Sequence, residues 1–305
     1  EEVRDSSGAL KRFGDRQFDT HSQMTRQAGA DGQPFLFRHD ANGNVLETES
    51  PLGVISMSTY DGADRPKVQI QDAGGINAEV RYAYSPNGQV EQVVDPKGLA
   101  TRYVYDGFGT PQGQLSPDTG TDAFTVDAMG NRTTRTDARG VKASYSYDVI
   151  NRLKSITYAD PNLDVVYAYD AAPAVCPAGE RFGEGRVGQV LHAGGSTAYC
   201  YDRFGQLVRK VQTVDGVGLT LRYSYTKAGR LERLTYPDGS ITDYAYDSLG
   251  RASEVGLTLP GQARKVVVTN ITYAPFGPMT GWAYGKGRHL LRELDADYRP
   301  TRVYD

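Results

Sequence analysis

Polar and apolar residues alternate with a period of two along short stretches of this chain. Leu219, Leu221, Tyr223 and Tyr225 share one face while Thr220, Arg222 and Ser224 share the other, and Leu99, Thr101, Tyr103 and Tyr105 stand likewise against Ala100, Arg102 and Val104. Such alternation predicts β-strands. Clusters of Gly, Pro and Asp interrupt the chain about every ten residues, which leaves no window long enough for a stable amphipathic helix. Beyond each Gly the pattern changes, and apolar residues fall three apart, as at Leu153 and Ile156, Leu231 and Leu234, and Val90 and Val93. Either a bulge shifts the register there or both faces of the sheet take apolar residues, and the sequence leaves both open.

The alternating stretches recur. Anchored on the second Tyr of the phrase Tyr-x-Tyr-Asp, the series runs Phe18, His39, Tyr60, Tyr84, Tyr105, Val126, Tyr147, Tyr169, Tyr201, Tyr225, Tyr246, Tyr273 and Leu294, with seven of its twelve steps equal to 21 residues. A fixed period marks one supersecondary unit copied and stacked. Asp follows the anchor ten times and is replaced by Ser85, Thr226 and Ala274.

Each unit reads as a β-hairpin with a return turn. Asp106-Gly107-Phe108-Gly109, Asp127-Ala128-Met129-Gly130 and Asp202-Arg203-Phe204-Gly205 suit a type I turn. The Asp carboxylate accepts a nearby backbone N–H and the Gly takes the positive φ that closes the turn. A second turn follows half a repeat later, at Ser50-Pro51-Leu52-Gly53, Asp95-Pro96-Lys97-Gly98, Asp137-Ala138-Arg139-Gly140 and Tyr236-Pro237-Asp238-Gly239. The positions expected to carry this frame are structural: Tyr60, Asp61, Tyr105, Asp106, Gly109, Asp127, Gly130, Tyr147, Asp148, Tyr169, Asp170, Tyr201, Asp202, Gly205, Tyr225, Gly229, Tyr246, Asp247 and Gly250.

A lone hairpin of this size buries too little to offset the entropy of ordering it, so neighbouring repeats must supply contacts and ladder hydrogen bonds. The predicted fold is all-β: about thirteen tandem hairpins stacked into one long curved antiparallel sheet, a partial spiral shell. At about 4.8 Å per strand the ribbon is on the order of 125 Å long, or about one turn of a wall. Residues 1–305 are expected to form a single repeat domain with an insertion near 171–190, where the step from Tyr169 to Tyr201 grows to 32 residues. The insertion reads as a surface loop. The chain begins Glu1-Glu2-Val3-Arg4 and is expected to be a piece of a larger protein.

Composition sharpens this picture. The 35 Gly and 21 Tyr, against 9 Phe, 4 Met and 1 Trp, are those of a turn-rich, Tyr-rich β protein. A net charge of -3 argues against a nucleic-acid partner, which calls for a basic face. No apolar run is long enough for a membrane helix, and none resembles a signal peptide.

Candidate chemistry is sparse. The four His, at positions 21, 39, 192 and 289, are isolated, and His39 sits where the repeat has Tyr. No zinc spacing, nucleophile elbow or phosphate loop occurs, so neither an enzyme nor a cofactor is expected. Cys176 and Cys200 are too few for a disulfide framework and read as free or incidentally paired thiols. Asp40-Ala41-Asn42-Gly43-Asn44 has the look of a calcium loop but lacks the distal Glu, and turn capping is the better account. The Tyr series could stack on sugar rings, though packing between repeats explains the same spacing.

The phrases Tyr147-Asp148 through Arg152-Leu153, Tyr201-Asp202 through Gly205-Gln206-Leu207, and Tyr246-Asp247 through Gly250-Arg251 resemble the Rhs/YD-repeat family, whose consensus is close to Y-D-x-x-G-R-L. Gly183-Glu184-Gly185-Arg186-Val187 is similar to a second phrase of Rhs cores, while Asp95-Pro96-Lys97-Gly98-Leu99 is an ordinary return turn. The family includes bacterial Rhs toxins, the C component of Tc toxins and the teneurins. The resemblance implies a hollow β-shell that encloses a C-terminal toxin domain until delivery, with the rest of the shell and that domain as partners and a secreted or cell-surface location. The alternative is an adhesion module that binds glycans or a cell-surface partner.

Overall fold

The computed structural model describes residues 2–4, 8, 10–29, 32–275, 277–285, 287–295 and 298–305. Among these, twenty-seven strands, β1 (Glu2–Arg4) to β27 (Pro300–Tyr304), form one curved sheet. Every strand pairs antiparallel with its neighbour in sequence, from β1 on β2 (Leu10–Phe18) through β26 (His289–Leu294) on β27. Among the described residues no connection crosses another strand. Two short 3₁₀ turns, Pro161–Leu163 and Ala178–Glu180, are the helical elements among the described residues.

The turn after each anchor is nearly invariant. The N–H of Asp106 donates to the Thr110 carbonyl and that of Gly109 to the Asp106 carbonyl, and the same two bonds close the turns at Asp40, Asp61, Asp127, Asp148, Asp202, Thr226 and Asp247. The return turns at Ser50, Asp95, Asp137 and Tyr236 close in the same way. Gly109, Gly130, Gly205, Gly229 and Gly250 hold φ between 76° and 84°, the left-handed region where a Cβ is costly. Asn151 and Asp64 hold the same turn position at φ 63° and 58°, so short polar side chains substitute there. Most changes of repeat length fall in the return turns: extra residues lie at 72–77 and 259–264, and the Pro161–Leu163 turn takes the one-residue excess before Tyr169.

The three-residue apolar spacing is a bulge. In β14 (Lys142–Tyr147) on β15 (Leu153–Tyr158), Tyr147 pairs with Leu153 and Tyr145 with Ile156, with a register shift between Ser146 and Tyr147. Leu153 and Ile156 therefore face the same way as the two Tyr they oppose. The shift recurs immediately before every anchor, from Phe18 to Leu294, so all thirteen hairpins carry it at the same place. A bulge raises the local twist of a sheet, and thirteen in register supply a repeated bend to the whole ribbon.

One face of the sheet carries the anchors, half-buried except for Phe18, while residues just before them, such as Thr59, Ala83, Val104 and Ser146, are exposed on the other. Among the described residues, no second layer covers either face along most of the sheet. Fully buried apolar residues among those described are few and small, namely Ala28, Ala143, Cys176, Ala198, Cys200, Val211 and Ala283.

Candidate functional site

The repeated residues interlock. Asp148 Oδ1 accepts the N–H groups of Ile150 and Arg152, and its Oδ2 accepts the Arg152 Nε at 2.6 Å. The Arg152 guanidinium then lies 4.3 Å from the centroid of the next anchor ring, Tyr169. Tyr169 Oη in turn donates to the Leu153 carbonyl at 2.8 Å, the residue paired with the preceding anchor. Each letter of the phrase thus serves the junction between one repeat and the next.

The same connections run along the sheet. Asp61 with Arg65 and Tyr84, and Asp247 with Arg251 and Tyr273, repeat the full set, with the rings 4.4 and 4.5 Å from the guanidinium carbons. All nine anchor tyrosines, Tyr60, Tyr84, Tyr105, Tyr147, Tyr169, Tyr201, Tyr225, Tyr246 and Tyr273, donate to a carbonyl of the previous repeat at 2.6 to 3.0 Å. All nine are half-buried. Asp106, Asp127 and Asp202 cap their turns through two backbone N–H groups each. Where Asp is replaced, Ser85 Oγ and Thr226 Oγ1 accept one. Asp40 does likewise for Asn42 and Asn44, a turn cap in the stretch with the look of a calcium loop.

These contacts set the ionisation of the repeated side chains. The Arg65 side chain, aided by backbone N–H groups, holds Asp61 at about 2, and Arg152 with the Gly185 N–H does the same for Asp170. Backbone donors at the i+4 position lead in lowering Asp106, Asp148 and Asp247, and the Asn131 side chain leads for Asp127. Burial pushes the phenols of Tyr84, Tyr147, Tyr169, Tyr201, Tyr225 and Tyr273 up.

The insertion is an expanded anchor turn. The Asp170 N–H donates to the Arg186 carbonyl, so 16 residues separate two positions that are elsewhere four apart. Asp170 Oδ1 accepts the Gly185 N–H at 2.7 Å, and Arg186 lies 5.6 Å from the Tyr201 centroid, in the place Arg152 takes over Tyr169. The extra residues fold onto the face opposite the anchors. Cys176 forms a disulfide with Cys200 of β18 (Gly195–Tyr201), and Glu180 binds Arg209 of β19 (Leu207–Val214) through two bonds of 2.6 and 2.8 Å. Arg209, 9% exposed, is nearly buried by this flap. The two thiols are therefore paired, and the loop is pinned to the sheet.

Of the four anchors without Tyr's hydroxyl, three lie in the walls of cavities: His39 in one of about 460 Å³, Val126 in one of about 430 Å³ and Leu294 in one of about 280 Å³. His39 Nδ1 is buried with no hydrogen-bond partner, alone in this among the described residues. Among the described residues no group of three His, Cys, Asp or Glu side chains could hold a metal ion, and no helix is long and apolar enough to cross a membrane.

A single-layer antiparallel ribbon of Tyr-Asp hairpins, cross-linked between repeats, is the class of protein this geometry defines. The sequence model of the RHS repeat matches residues 127–162, 201–241 and 225–263. Among solved structures, the crystal structure of TcdB2-TccC3 superposes with a TM-score of 0.67 at 15% identity, over 98% of this chain and 20% of that one. A Photorhabdus luminescens Tc holotoxin pore structure gives a TM-score of 0.71 at 15% identity, over 99% and 20%. The likeness at that identity is one of fold, and the chain spans about a fifth of the length of those it matches. No curated protein sequence matches it.

Proposed function

We propose that this chain is a wall segment of an Rhs-type toxin shell, non-catalytic in itself, that helps enclose a C-terminal toxin domain before delivery. The observation that carries this reading is that the repeated polar groups are consumed by the wall. Asp caps its own turn, Arg binds that Asp and stacks on the next ring, and Tyr donates to the preceding repeat. Asp61, Asp148 and Asp247 are each engaged by two backbone N–H groups and by the Arg four residues on.

The rim of the sheet supports the same reading. Phe108, Met129 and Ile150, at the tips of three consecutive anchor turns, are 98%, 71% and 65% exposed. They form an apolar row that an adjoining part of a larger wall would cover. The solved folds it resembles belong to Tc toxin assemblies. In this reading the parent protein is bacterial, is exported or displayed at the cell surface, and has the rest of the shell and its cargo as partners.

The glycan-binding alternative loses its main motive, because the anchor rings are half-buried and their hydroxyls are engaged within the sheet. Limited proteolysis of the full-length parent chain tests the proposal. The domain that follows the repeats should resist protease in the intact protein and be digested once Tyr147, Tyr169 and Tyr246 are changed together to Ala. Equal digestion of that domain in both proteins would overturn the shell reading. A glycan array bound through the anchor face would replace it with adhesion.

A further inference from the structure

The gap at Val126 has a defined shape. On the flanking repeats, Tyr105 Oη donates to the Val90 carbonyl and Tyr147 Oη to the Arg132 carbonyl. By the same register the partner of a ring at 126 would be the Pro111 carbonyl, since Pro111 pairs with Tyr105 as Arg132 pairs with Val126. Val126 has neither ring nor hydroxyl to offer it. The residue that holds Arg in the fullest repeats, and would stack on such a ring, is Thr110 here. Ring and cover are thus missing together, and a cavity of about 430 Å³ stands in their place.

Its lining is specific. Tyr103, Tyr105, Phe124, Pro111, Thr110 and Arg132 bound it on the anchor face, and Arg132 lies 4.3 Å from the Phe124 centroid. No carboxylate lines it, and its one ionised side chain, Arg132, is already stacked on Phe124. The chemistry that fits is a flat, neutral aromatic ring with one hydroxyl donor, the group that nine of the thirteen anchors supply from within.

We propose that the cavity beside Val126 is a docking site for a tyrosine side chain presented by another polypeptide, which completes the ladder at this position. The incoming ring packs among Tyr103, Tyr105 and Phe124, and its hydroxyl donates to the Pro111 carbonyl. The site stands whether or not the partner is a shell cargo, because it follows from the ladder alone.

p-Cresol, the side chain of tyrosine capped by hydrogen, is the probe. Ligand-observed NMR titration of the whole chain should show p-cresol binding and toluene binding about fivefold more weakly, the worth of one hydrogen bond. Val126→Tyr supplies the ring from within. It should weaken p-cresol at this site at least tenfold and raise the melting temperature by about 2 °C. Val126→Phe, which fills the ring space with a smaller change in polarity, should also exclude the probe and guards against a folding defect in the first variant. The inference is overturned if the native chain does not bind p-cresol, if both variants bind it as the native chain does, or if methyl glucoside displaces it at lower concentration than N-acetyltyrosine amide.

Discussion

At the scale of single residues, the tyrosine hydroxyls are the most economical test of how the repeats hold together. Tyr169→Phe removes one donor to the Leu153 carbonyl and leaves the ring under Arg152. It should destabilise the chain by about 0.5–1.5 kcal/mol in chemical denaturation. The carboxylates make the sheet sensitive to acid. Asp61 and Asp170 sit at about 2 in the folded chain, against about 3.9 for an unfolded Asp. A depressed carboxylate adds stability that is present above the unfolded value and is lost as pH falls through the folded one. Ellipticity followed from pH 5 downward should therefore hold to about pH 4 and decline towards pH 2. The raised phenols act on the opposite limb, their stabilisation being full below the unfolded tyrosine value of about 10 and lost as pH climbs past it. Tyr and Asp were legible as repeat positions because their spacing is fixed. The stacking of Arg65 or Arg152 on the ring of the following repeat was not, since a period says that units adjoin without saying which side chains meet.

At the scale of elements, the bulge shows what a hydrophobic pattern can and cannot decide. Leu231 and Leu234 are three apart yet oppose Tyr225 and Tyr223, which are two apart. The sequence showed the mismatch, and only the register shows that a bulged residue absorbs it. The insertion is a similar case. Its length was visible in the 32-residue step, but a spacing of 24 between Cys176 and Cys200 does not say that the loop folds back on the strand that follows it. That disulfide should govern how readily the flap opens. Closing a loop of this length contributes about 3 kcal/mol in the chain-entropy account. In a Cys176→Ser, Cys200→Ser variant, hydrogen exchange across residues 171–186 should speed up on the order of a hundredfold, while β14 and β15 exchange as before. Unchanged exchange in the flap would assign its closure to the Glu180–Arg209 pair and local packing instead.

At the scale of the whole molecule, surface is the governing quantity. A folded monomer of 33.3 kDa ordinarily exposes about 12,600 Å², and its unfolded chain about 48,000 Å². This chain exposes 19019 Å² when folded, because one layer of sheet leaves two faces open where a two-layer domain leaves none of its core. It therefore buries about 29,000 Å² on folding rather than about 36,000 Å². Denaturant dependence scales with the area exposed on unfolding, as does the heat-capacity change. Urea titration and calorimetry of the isolated chain should thus give an m-value and a ΔCp about a fifth below those of a globular domain of equal length. Values equal to the globular expectation would mean that the ribbon covers its faces in solution, by closing on itself or by pairing with a second copy. A ribbon that stays open keeps the anchor face, with its gap at Val126, accessible to other molecules.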